Sequence, residues 1–515
     1  MSVATLTRIL LVVVLAAFAQ SGFAADGKRP NILFIYADDQ SYKTVSCYPE
    51  AQKWVKTPNI DALAATGVRF ERSYLGAWCM PSRASMLTGR LQHGVESMRM
   101  EGEYPGCVYD PKQTPFFPAV MRAQGYHTAQ IGKWHTGIDS GFGRDWDHQI
   151  VWNRPKYPAN AGNYYDQQQL ERDGVVLPEL QKGYSTDNYT KWAIEYLKQR
   201  QKEPGKPWYL WLCYGGIHGP TTPAERHKGT YSGNVAKLPA DVFGPRLDKP
   251  KYLDEVQAWV PGANGEPMLK KGRDAHGGFD QRTEGLTLQA WIQQMNECAR
   301  AVDDGVGQLM EALRATGQLE NTLVVYSADQ GYAMGEHGIN AKLAPYDGSI
   351  SSPLIVSYPG VTKVGAVCSQ PVNSPDLVAT FLSATGVQVP WKLHGHDLTP
   401  QLRDPSQAIN RPMILTHTGR SYGSDANDLD IKKTNLNGYP WYVLLREAQF
   451  KYVRYLIPNE IEELYDLAND PEELVNLAVK PAHKERLERM RTVAIAELKR
   501  TEAGFAEHLP PVATR

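Results

Sequence analysis

Cysteine is scarce in this chain, which has six among 515 residues: Cys47, Cys79, Cys107, Cys213, Cys298 and Cys368. Disulfide-stapled domains have a far higher cysteine density, and zinc sites need cysteines or histidines paired at short spacings. Neither pattern occurs, so the sequence excludes a disulfide scaffold and offers no zinc motif. One or two disulfides are compatible with these numbers, but the spacings do not tell which cysteines would pair.

An excess of charge of one sign is also missing. The chain has 55 Lys and Arg against 56 Asp and Glu, which leaves a formal net charge of −1. No global field therefore favours nucleic acid or an acidic membrane surface, and we predict no nucleic-acid partner. Any selectivity for an anion has to come from the local placement of charges.

Long apolar runs are confined to the N-terminus. Arg8 precedes the apolar run 9–19, and small residues lead up to Ala24. The run is too short to span a bilayer and has the flanks of a signal peptide. We predict that residues 1–24 are a signal peptide, with an uncleaved anchor as the alternative. The mature chain is predicted to have no membrane span and to be exported, either periplasmic or secreted.

Internal repeats and low-complexity tracts are absent, and the length favours two domains over one. Buried-strand runs alternate with helical patterns over residues 25–409. This pattern predicts an α/β fold with a large, mostly parallel sheet sandwiched by helices, interrupted by irregular insertions at 139–183 and 222–285. From residue 410 short strands follow one another without crossover helices. We therefore predict a smaller C-terminal α+β subdomain with an antiparallel sheet over residues 410–515.

Two predicted strands end in acidic or amide side chains. Asp38 and Asp39 follow one apolar run, and Asp329 and Gln330 follow another. Sheets of α/β proteins bind ligands at the carboxyl ends of their strands. Oxygen ligands without a cysteine or histidine cluster suit a hard cation, Ca²⁺ or Mg²⁺. A solvated turn or a helix cap is the alternative interpretation of each pair.

Cations and titratable groups are predicted at the same edge. Lys133 and His135 lie two residues apart after a strand, so they share one side of an extended segment. His218 follows the next buried strand, and Lys342 comes soon after the second acidic pair. Each could be an ordinary turn residue. Together with a divalent cation they could bind a tetrahedral oxyanion and move protons, which indicates hydrolysis of a sulfate or phosphate ester.

The stretch 79–90, CMPSRASMLTGR, carries the most specific signal. Pro81 suits the first turn of a helix, and Arg83 lies four residues after Cys79 on about the same helix face. A helix N-terminus also favours anions. The local sequence therefore predicts an anion site with a reactive side chain at its edge.

These twelve residues match the signature C-x-P-S-R-x-x-x-L-T-G-R of type I sulfatases in the alkaline phosphatase superfamily, which the chain resembles from about residue 29 to 480. The other blocks of the family follow in order: Asp38-Asp39, GKWH at 132–135, IHGP at 217–220, SADQG at 327–331, Lys342 and a C-terminal block at 463–477. The chain is therefore expected to be a sulfuric ester hydrolase.

The resemblance implies one bound Ca²⁺, with Mg²⁺ less expected, held by Asp38, Asp39, Cys79, Asp329 and Gln330. It also implies that Cys79 is oxidised after synthesis to formylglycine (3-oxoalanine), whose hydrate is the nucleophile. A formylglycine-generating enzyme or an anaerobic sulfatase-maturating enzyme would then be a partner. A plain disulfide or thiol nucleophile at Cys79 is disfavoured by the signature.

The resemblance also implies roles for the remaining polar residues. Arg83 would hold the attacking hydroxyl together with the cation, and Lys133 would order the hydrate and neutralise charge. His218, with Lys342 nearby, would assist the leaving sugar oxygen. His135 would deprotonate the second hydroxyl, which expels sulfate and regenerates the aldehyde.

Three positions depart from the usual family pattern. Met80 replaces a smaller residue, and Gln330 stands where Asn or His is commoner but still offers an oxygen. Ser351-Ser352-Pro353 lacks an arginine often found before that strand, which puts one substrate contact in doubt.

A sulfated polysaccharide or oligosaccharide is the expected substrate, because the insertions are rich in aromatic and polar residues. The stretch 143–147 resembles marine galactan sulfatases, particularly carrageenan-active ones. Heparan, chondroitin, fucan and ulvan sulfates stay open. The rivals are a phosphodiesterase or phosphonate monoester hydrolase of the same superfamily and a catalytically decayed sulfated-glycan binding protein. Cys79 argues against an ordinary phosphatase, which uses serine or threonine, and the complete set of polar residues argues against a decayed site.

Overall fold

The computed structural model describes residues 28–95, 110–270, 287–407, 411–418 and 435–513. The predicted signal peptide 1–24 and Cys107 lie outside these ranges. Within them, no helix combines the length and the apolar character needed to cross a membrane. The five cysteines of the described ranges are free thiols: Cys47, Cys79, Cys213, Cys298 and Cys368.

The described strands fall into one large sheet, one small sheet and two short hairpins. Their bounds are β1 Asn31–Ala37, β2 Val68–Tyr74, β3 His127–Trp134, β4 His148–Asn153, β5 Glu171–Arg172, β6 Val175–Val176, β7 Trp208–Cys213, β8 Trp259–Pro261, β9 Pro267–Leu269, β10 Thr322–Ala328, β11 Ser352–Ser357, β12 Ala366–Cys368, β13 Val372–Asn373, β14 Met413–His417, β15 Asn435–Leu436, β16 Tyr439–Pro440, β17 Tyr442–Glu447, β18 Phe450–Tyr455 and β19 Glu463–Asp466.

The α-helices of the same ranges surround the large sheet or cover the small one. They are α1 Pro58–Ala65, α2 Cys79–Thr88, α3 Phe117–Ala123, α4 Ser185–Arg200, α5 Tyr252–Glu255, α6 Leu288–Ala315, α7 Asp347–Ile350, α8 Ser374–Thr385, α9 Thr399–Arg403 and α10 Lys484–Arg500.

The large sheet has the strand order β12-β2-β11-β10-β1-β7-β3-β4-β5-β6, with β13 also paired to β2. Its centre, from β10 to β4, is parallel, whereas β11 runs antiparallel to β10. The parallel strands therefore end at one common edge, where α/β sheets bind ligands. This arrangement confirms the predicted α/β sheet.

Helices pack on both faces of this sheet because the strands alternate their apolar side chains between two cores. In β1, Leu33 and Ile35 join the core beneath α4 and α6. Ile32, Phe34 and Tyr36 join the core beneath α2, α3 and α8. Burial on both faces explains why β1 reads as a continuous apolar run in the sequence.

The small sheet is antiparallel and has the order β14-β17-β18-β19. Helix α10 covers it with Leu487, Met490, Ala494 and Leu498, whose spacing places them along one side of the helix. The predicted C-terminal α+β unit with an antiparallel sheet is confirmed. Its exact start at residue 410 stays a prediction.

The insertion 139–183 differs from the sequence-based expectation of an irregular segment. It contains β4, which pairs in parallel with β3, and the short strands β5 and β6 extend the sheet further. The prediction was wrong there because only Ile150, Val151 and Trp152 are strongly apolar in β4. Three residues flanked by polar neighbours are too short a run to stand out as a buried strand.

Candidate active site

The ends of β1 and β10 bring the two predicted acidic pairs together. These strands are parallel, with Ala37 opposite Ala328, so Asp38 and Asp329 leave the sheet side by side. The backbone N–H of Asp39 donates to Oδ1 of Asp329 at 3.0 Å. Asp39 has a φ of 56°, a left-handed conformation that aspartate tolerates better than most side chains. The three carboxylates thus converge although Asp329 lies 290 residues after Asp39 in the chain.

Cys79 begins α2 and points into this acidic cluster. Its Sγ lies 3.3 Å from Oδ1 of Asp38 and 3.7 Å from Oδ1 of Asp39. Nζ of Lys342 lies 2.8 Å from the same sulfur. Cys79 is buried, as are its partners. The sulfur therefore marks where the oxygens of a modified Cys79 side chain would face the carboxylates and the ammonium.

The protonation state of Cys79 argues against a simple thiol nucleophile. Burial, followed by the charge of Asp38, raises the pKa of the thiol to about 12. The thiolate is the reactive form of cysteine, and it would be scarce at neutral pH. The unmodified side chain is thus a poor nucleophile in this environment.

Each predicted cation contacts a predicted carboxylate. Nη2 of Arg83 lies 3.0 Å from Oδ2 of Asp329, Nζ of Lys342 lies 2.7 Å from Oδ1 of Asp39, and Nζ of Lys133 contacts Oδ2 of Asp38. Three carboxylates thus face three cations, and their formal charges cancel.

The pKa values of the carboxyl groups are shifted in opposite directions within the cluster. Burial would raise the pKa of Asp38, but Lys133 and His218 hold it well below its ordinary value. At Asp329, burial and the neighbouring charge of Asp38 raise the pKa to about 7. Full ionisation of such a buried cluster at neutral pH would be favoured by an additional cation.

The donor atoms fit a calcium ion. Carboxylate oxygens of Asp38, Asp39 and Asp329 and the sulfur of Cys79 lie within 4.8 Å of one another. Two oxygens bound to the same Ca²⁺ at 2.3–2.6 Å can be at most about 5 Å apart, so this spread matches the ion. A divalent cation here would add two positive charges to these balanced pairs, which suits an ester anion.

Gln330 lies at the predicted position but turns its amide nitrogen to the cluster. Nε2 donates to Oδ1 of Asp39 and lies 3.3 Å from Sγ of Cys79, whereas Oε1 accepts from Oγ of Ser82 at 3.1 Å. A half turn of the amide would present the oxygen instead. Gln330 could therefore join the ligand set only after that rotation.

His218 is fixed beside the cluster by the loop that follows β7. The loop is tied to β1, because Asp38 N–H donates to the carbonyl of Gly216 at 2.9 Å and Ile217 N–H donates to the carbonyl of Asp38 at 2.8 Å. Nδ1 of His218 donates to the carbonyl of Gly219 at 2.7 Å. Nε2 lies 3.5 Å from Oδ2 of Asp39. Because a carbonyl only accepts, Nδ1 carries a proton and Nε2 is the atom that faces the site.

His135 has a different environment from His218. Its Nδ1 lies 3.1 Å from Nη1 of Arg154. Burial, followed by the charges of Arg154 and Lys133, holds the pKa of His135 well below its ordinary value. Among the described residues, Nε2 of His135 has no hydrogen-bond partner. The structure thus brings Lys133 to the carboxylates and His135 to an arginine.

Arg154 and Tyr164, both from the first insertion, were not predicted. The Tyr164 ring stacks on His218 with centroids 3.9 Å apart, and Cζ of Arg154 lies 4.8 Å from the Tyr164 centroid. Arg154 directly follows β4, so a cation at a strand end was available as a signal once that strand had been recognised. Tyr164 lies in a loop and offered no comparable signal.

Family models match most of the chain. The model described as Sulfatase matches residues 30–387, and the model for the C-terminal part of N-sulphoglucosamine sulphohydrolase matches residues 335–500. The N-acetylglucosamine-6-O-sulfatase of Bacteroides thetaiotaomicron is 30% identical over 493 residues, which cover 87% of this chain and 83% of that protein.

Solved structures share the fold. A complex with the substrate D-glucosamine-2-N,6-O-disulfate has a TM-score of 0.75 at 24% identity, and covers 92% of this chain and 98% of that one. The phosphonate monoester hydrolase of Silicibacter pomeroyi has a TM-score of 0.69 at 24% identity, with coverages of 93% and 97%. A complex with k-i-k-neocarrahexaose has a TM-score of 0.63 at 22% identity, with coverages of 92% and 92%. Since the Sulfatase model spans well over half of the residues, this chain belongs to the sulfatase family and is a sulfuric ester hydrolase.

Proposed function

We propose that this chain is an exported sulfatase that removes sulfate esters from a sulfated polysaccharide or oligosaccharide, using a formylglycine hydrate made from Cys79. The observation that carries the proposal is the position of the Cys79 sulfur. It lies at the start of α2, 3.3 Å from a carboxylate oxygen of Asp38 and 2.8 Å from the ammonium of Lys342. A nucleophile formed at that point would sit between an acidic cation site and a fixed positive charge.

The proposed cation is Ca²⁺, held by Asp38, Asp39, Asp329, the modified Cys79 side chain and, after rotation of its amide, Gln330. When bound, calcium would polarise the oxygens of the ester and of the hydrate. Mg²⁺ is less expected, because it requires a tighter octahedral arrangement and usually retains several waters.

The charged side chains of the site would bind and orient the sulfate group. Arg83 and Lys133 hold Asp329 and Asp38 in place, and Lys342 joins Asp39 to the nucleophile position. With the cation in place, their charges are no longer fully offset by the carboxylates. The site would then attract an ester anion and stabilise the charge that develops as the bond to the leaving oxygen breaks.

His218 is the proposed acid for the leaving sugar oxygen. Its Nδ1 is committed to the carbonyl of Gly219, so Nε2 is the atom that can hold and release the transferred proton. The stack with Tyr164 fixes the plane of the ring. For sulfate to leave afterwards, the second hydroxyl of the hydrate has to lose its proton, and the family resemblance gives that step to His135.

The first substrate to test is a 6-O-sulfated glucosamine. Support comes from the 30% identical relative, which is named an N-acetylglucosamine-6-O-sulfatase. A carrageenan-type galactan is the alternative. The stretch 143–147, which resembles carrageenan-active sulfatases, makes contacts within the protein itself. Arg144 pairs with Asp139 and Asp145, and Trp146 is buried against Trp211.

Two further elements belong to the proposal. Export to the periplasm or the medium would depend on the signal peptide predicted at residues 1–24. Activity would depend on a formylglycine-generating or anaerobic sulfatase-maturating enzyme, because the chain as synthesised has only a thiol at position 79.

A desulfation screen with protein made in the presence of a maturating enzyme tests the proposal. N-acetylglucosamine 6-sulfate, glucosamine 2-N,6-O-disulfate, chondroitin and ulvan oligosaccharides and carrageenan oligosaccharides would be compared by the sulfate released. Release from one of these sugars supports the proposal. No release from any of them, by protein that carries formylglycine, would overturn the carbohydrate assignment.

A phosphonate monoester hydrolase is the second candidate, because such an enzyme shares the fold over 93% of this chain. Aryl sulfate and aryl phosphonate monoester kinetics, measured side by side on the same preparation, decide between the two. A higher kcat/KM on the aryl sulfate supports the sulfatase, and a strong preference for the phosphonate supports the rival.

A further inference from the structure

The loop that carries His218 is held by two tyrosine hydroxyl groups from outside the loop. The hydroxyl of Tyr165, a residue of the first insertion, donates to the backbone carbonyl of His218 at 2.6 Å. The hydroxyl of Tyr184, which immediately precedes α4, donates to the carbonyl of Thr222 at 2.9 Å. A carbonyl only accepts, so each hydroxyl uses its single hydrogen in this bond. Two tyrosines therefore hold the two ends of the segment 218–222.

Cys298 of α6 joins these two hydroxyls. Its thiol donates to the hydroxyl of Tyr165 at 3.3 Å, and its Sγ lies 3.6 Å from the hydroxyl of Tyr184. Burial raises the pKa of Cys298 to about 11, so the sulfur keeps its hydrogen at neutral pH. The two tyrosine rings stack with their centroids 5.6 Å apart. Tyr165, Tyr184 and Cys298 thus form one unit, the tyrosine clamp, which joins α6 to the His218 loop.

The tyrosine clamp is anchored to long helices on one face of the large sheet. Tyr165 and Cys298 are buried in the core beneath α4 and α6. The backbone N–H of Ser185, at the start of α4, donates to the carbonyl of Tyr165 at 2.9 Å. The carbonyl of His218 also accepts from the backbone N–H of Thr221 at 3.0 Å, so both of its lone pairs are used. The position of this carbonyl is therefore well determined.

The residue before Tyr165 holds the same histidine by its ring. Tyr164 stacks on the imidazole of His218, with centroids 3.9 Å apart and 9° between the ring planes. A stack leaves a ring free to slide within its own plane, so the bond to the backbone supplies a restraint that stacking does not. Nε2 of His218 lies 3.5 Å from Oδ2 of Asp39. A displacement of about 1 Å at such a position can cost about 100-fold in rate.

We infer that Tyr165 is a positioning residue for the proton that His218 gives to the leaving oxygen, and that it acts by fixing the backbone of this histidine through the tyrosine clamp. The inference rests on the proposed function, which makes His218 the acid. It gives the first insertion and α6 a role in the reaction besides covering the sheet. The expected signature is a loss of rate that is confined to substrates that need this proton.

Tyr165→Phe removes only the hydroxyl and tests the inference on calcium-loaded protein that carries formylglycine. We expect kcat on the sugar sulfate found in the screen to fall about 10- to 100-fold, because the acid is displaced, with little change in KM. The leaving group of 4-nitrophenyl sulfate depends much less on a proton, so its rate should change by less than about threefold.

Tyr126→Phe is the matched control for this variant. Tyr126 is also buried, and its hydroxyl also donates to a backbone carbonyl, that of Pro30 at 2.9 Å. Pro30 precedes β1, whereas Asp38 follows it, so the control bond lies at the other end of the strand. Tyr126→Phe should keep the wild-type ratio of the two rates.

A double-mutant cycle shows whether Tyr165 acts through His218. In the His218→Ala background, Tyr165→Phe should cause no further loss on the sugar sulfate, because the group that Tyr165 positions is gone. Losses that multiply in the double variant would show independent effects and overturn the inference. Cys298→Ala removes the thiol bonded to Tyr165 and should give the selective loss more weakly, whereas Cys298→Ser keeps a donor and should lose less.

The outcomes separate this inference from the proposed function. An equal loss on both esters in Tyr165→Phe, or no loss on either, overturns the inference while the selective loss in His218→Ala leaves the proposed function intact. Absence of a selective loss in His218→Ala, or of any turnover by protein that carries formylglycine, overturns the proposed function and with it the inference. If Tyr165→Phe does not fold, Cys298→Ala is measured in its place and read in the same way.

Discussion

Nζ of Lys342 lies 2.8 Å from Sγ of Cys79 and 2.7 Å from Oδ1 of Asp39. One ammonium thus joins the nucleophile position to the proposed calcium ligands. Burial would lower the pKa of Lys342, but Asp39 and Cys79 raise it above its ordinary value, so the lysine is charged at every physiological pH.

Replacing Lys342 by Met should therefore lower kcat by about 100- to 1,000-fold, because a fixed charge beside the reacting atoms is lost. Steady-state kinetics on protein with verified formylglycine content measure the effect. Lys392→Met is the matched control, since Lys392 forms an exposed ion pair with Glu502 at 2.9 Å. Near-normal turnover by Lys342→Met would contradict the role given to this lysine.

Loss of the proposed calcium ligand Asp329 should abolish turnover and calcium-dependent stabilisation together. A ligand that binds only the folded state stabilises it by about 2.7 kcal/mol at 100 times its Kd. Wild-type protein stripped with a chelator should therefore gain thermal stability when Ca²⁺ is added back, and Asp329→Asn should gain little. Differential scanning fluorimetry with and without Ca²⁺ measures both.

Asp187→Asn is the control for the metal experiment, because Asp187 forms a half-exposed pair with Arg226 at 2.8 Å. It should respond to Ca²⁺ as the wild type does. A wild-type response that survives in Asp329→Asn would remove Asp329 from the ligand set.

The role of His218 predicts a dependence on the leaving group. Donation of a proton matters for a sugar hydroxyl, which is a poor leaving group, and much less for 4-nitrophenol. His218→Ala should lose about 100- to 10,000-fold on the sugar sulfate but far less on 4-nitrophenyl sulfate. Tyr164→Ala should follow the same pattern more weakly, because it removes the ring stacked on His218.

His227→Ala is the histidine control, since its Nε2 pairs with Asp304 at 2.7 Å and not with the acidic cluster. It should keep the wild-type ratio of the two rates. Equal losses on both substrates in His218→Ala would indicate that this histidine does not protonate the leaving oxygen.

His93 predicts how stability depends on pH. The ring is buried, with Nδ1 3.0 Å from Oγ1 of Thr416 in β14 and Nε2 3.0 Å from the carbonyl of Thr501, which follows α10. Burial lowers the pKa of His93 from 6.5 to about 4. Between these values the unfolded chain binds more protons than the folded one, so stability is complete above about pH 6.5 and falls by about 3 kcal/mol as the pH drops to 4.

The His93→Gln variant removes this titration and keeps a side chain that can donate and accept. The slope of the melting temperature against pH between about 6.5 and about 4 should become shallower in this variant. His394, whose pKa burial and His93 lower to about 2, contributes a slope of its own in both proteins. An unchanged slope in His93→Gln would show that His93 does not titrate in this window.

Most of the fold was accessible from the sequence because the central strands are buried on both faces. Nearly every side chain of a strand such as β1 is apolar, because both faces of the strand are buried. This run of apolar residues can be recognised in the sequence without knowing which strands pair with β1. Strand β4 was missed because its apolar part is only three residues long. The order of strands, which sets Asp38 beside Asp329, comes from pairing across almost three hundred residues and cannot be read from local periodicity.

The residues of the candidate site also fall into two groups, those that the sequence reveals and those that only the folded structure brings to the site. The polar residues at strand ends were identified by their position after apolar runs and by the signature around Cys79. The sequence did not identify Arg154 and Tyr164, because their contacts with the two histidines depend on how the insertion 139–183 folds over the site. The orientation of the Gln330 amide is also not predictable from the sequence. The residue type offers an oxygen as a metal ligand, whereas in the structure the amide nitrogen faces the acidic cluster.

Peptide mass spectrometry across Cys79 tests the central claim most directly, when combined with activity measured on the same preparation. Protein made with a maturating enzyme should yield the 79–90 stretch with the mass of formylglycine at position 79, and sulfate release should rise in proportion to that fraction. Cys79→Ser should show neither the modified mass nor turnover when a cysteine-specific maturating enzyme is used. A fully active preparation in which this peptide carries only unmodified Cys79 would contradict the account.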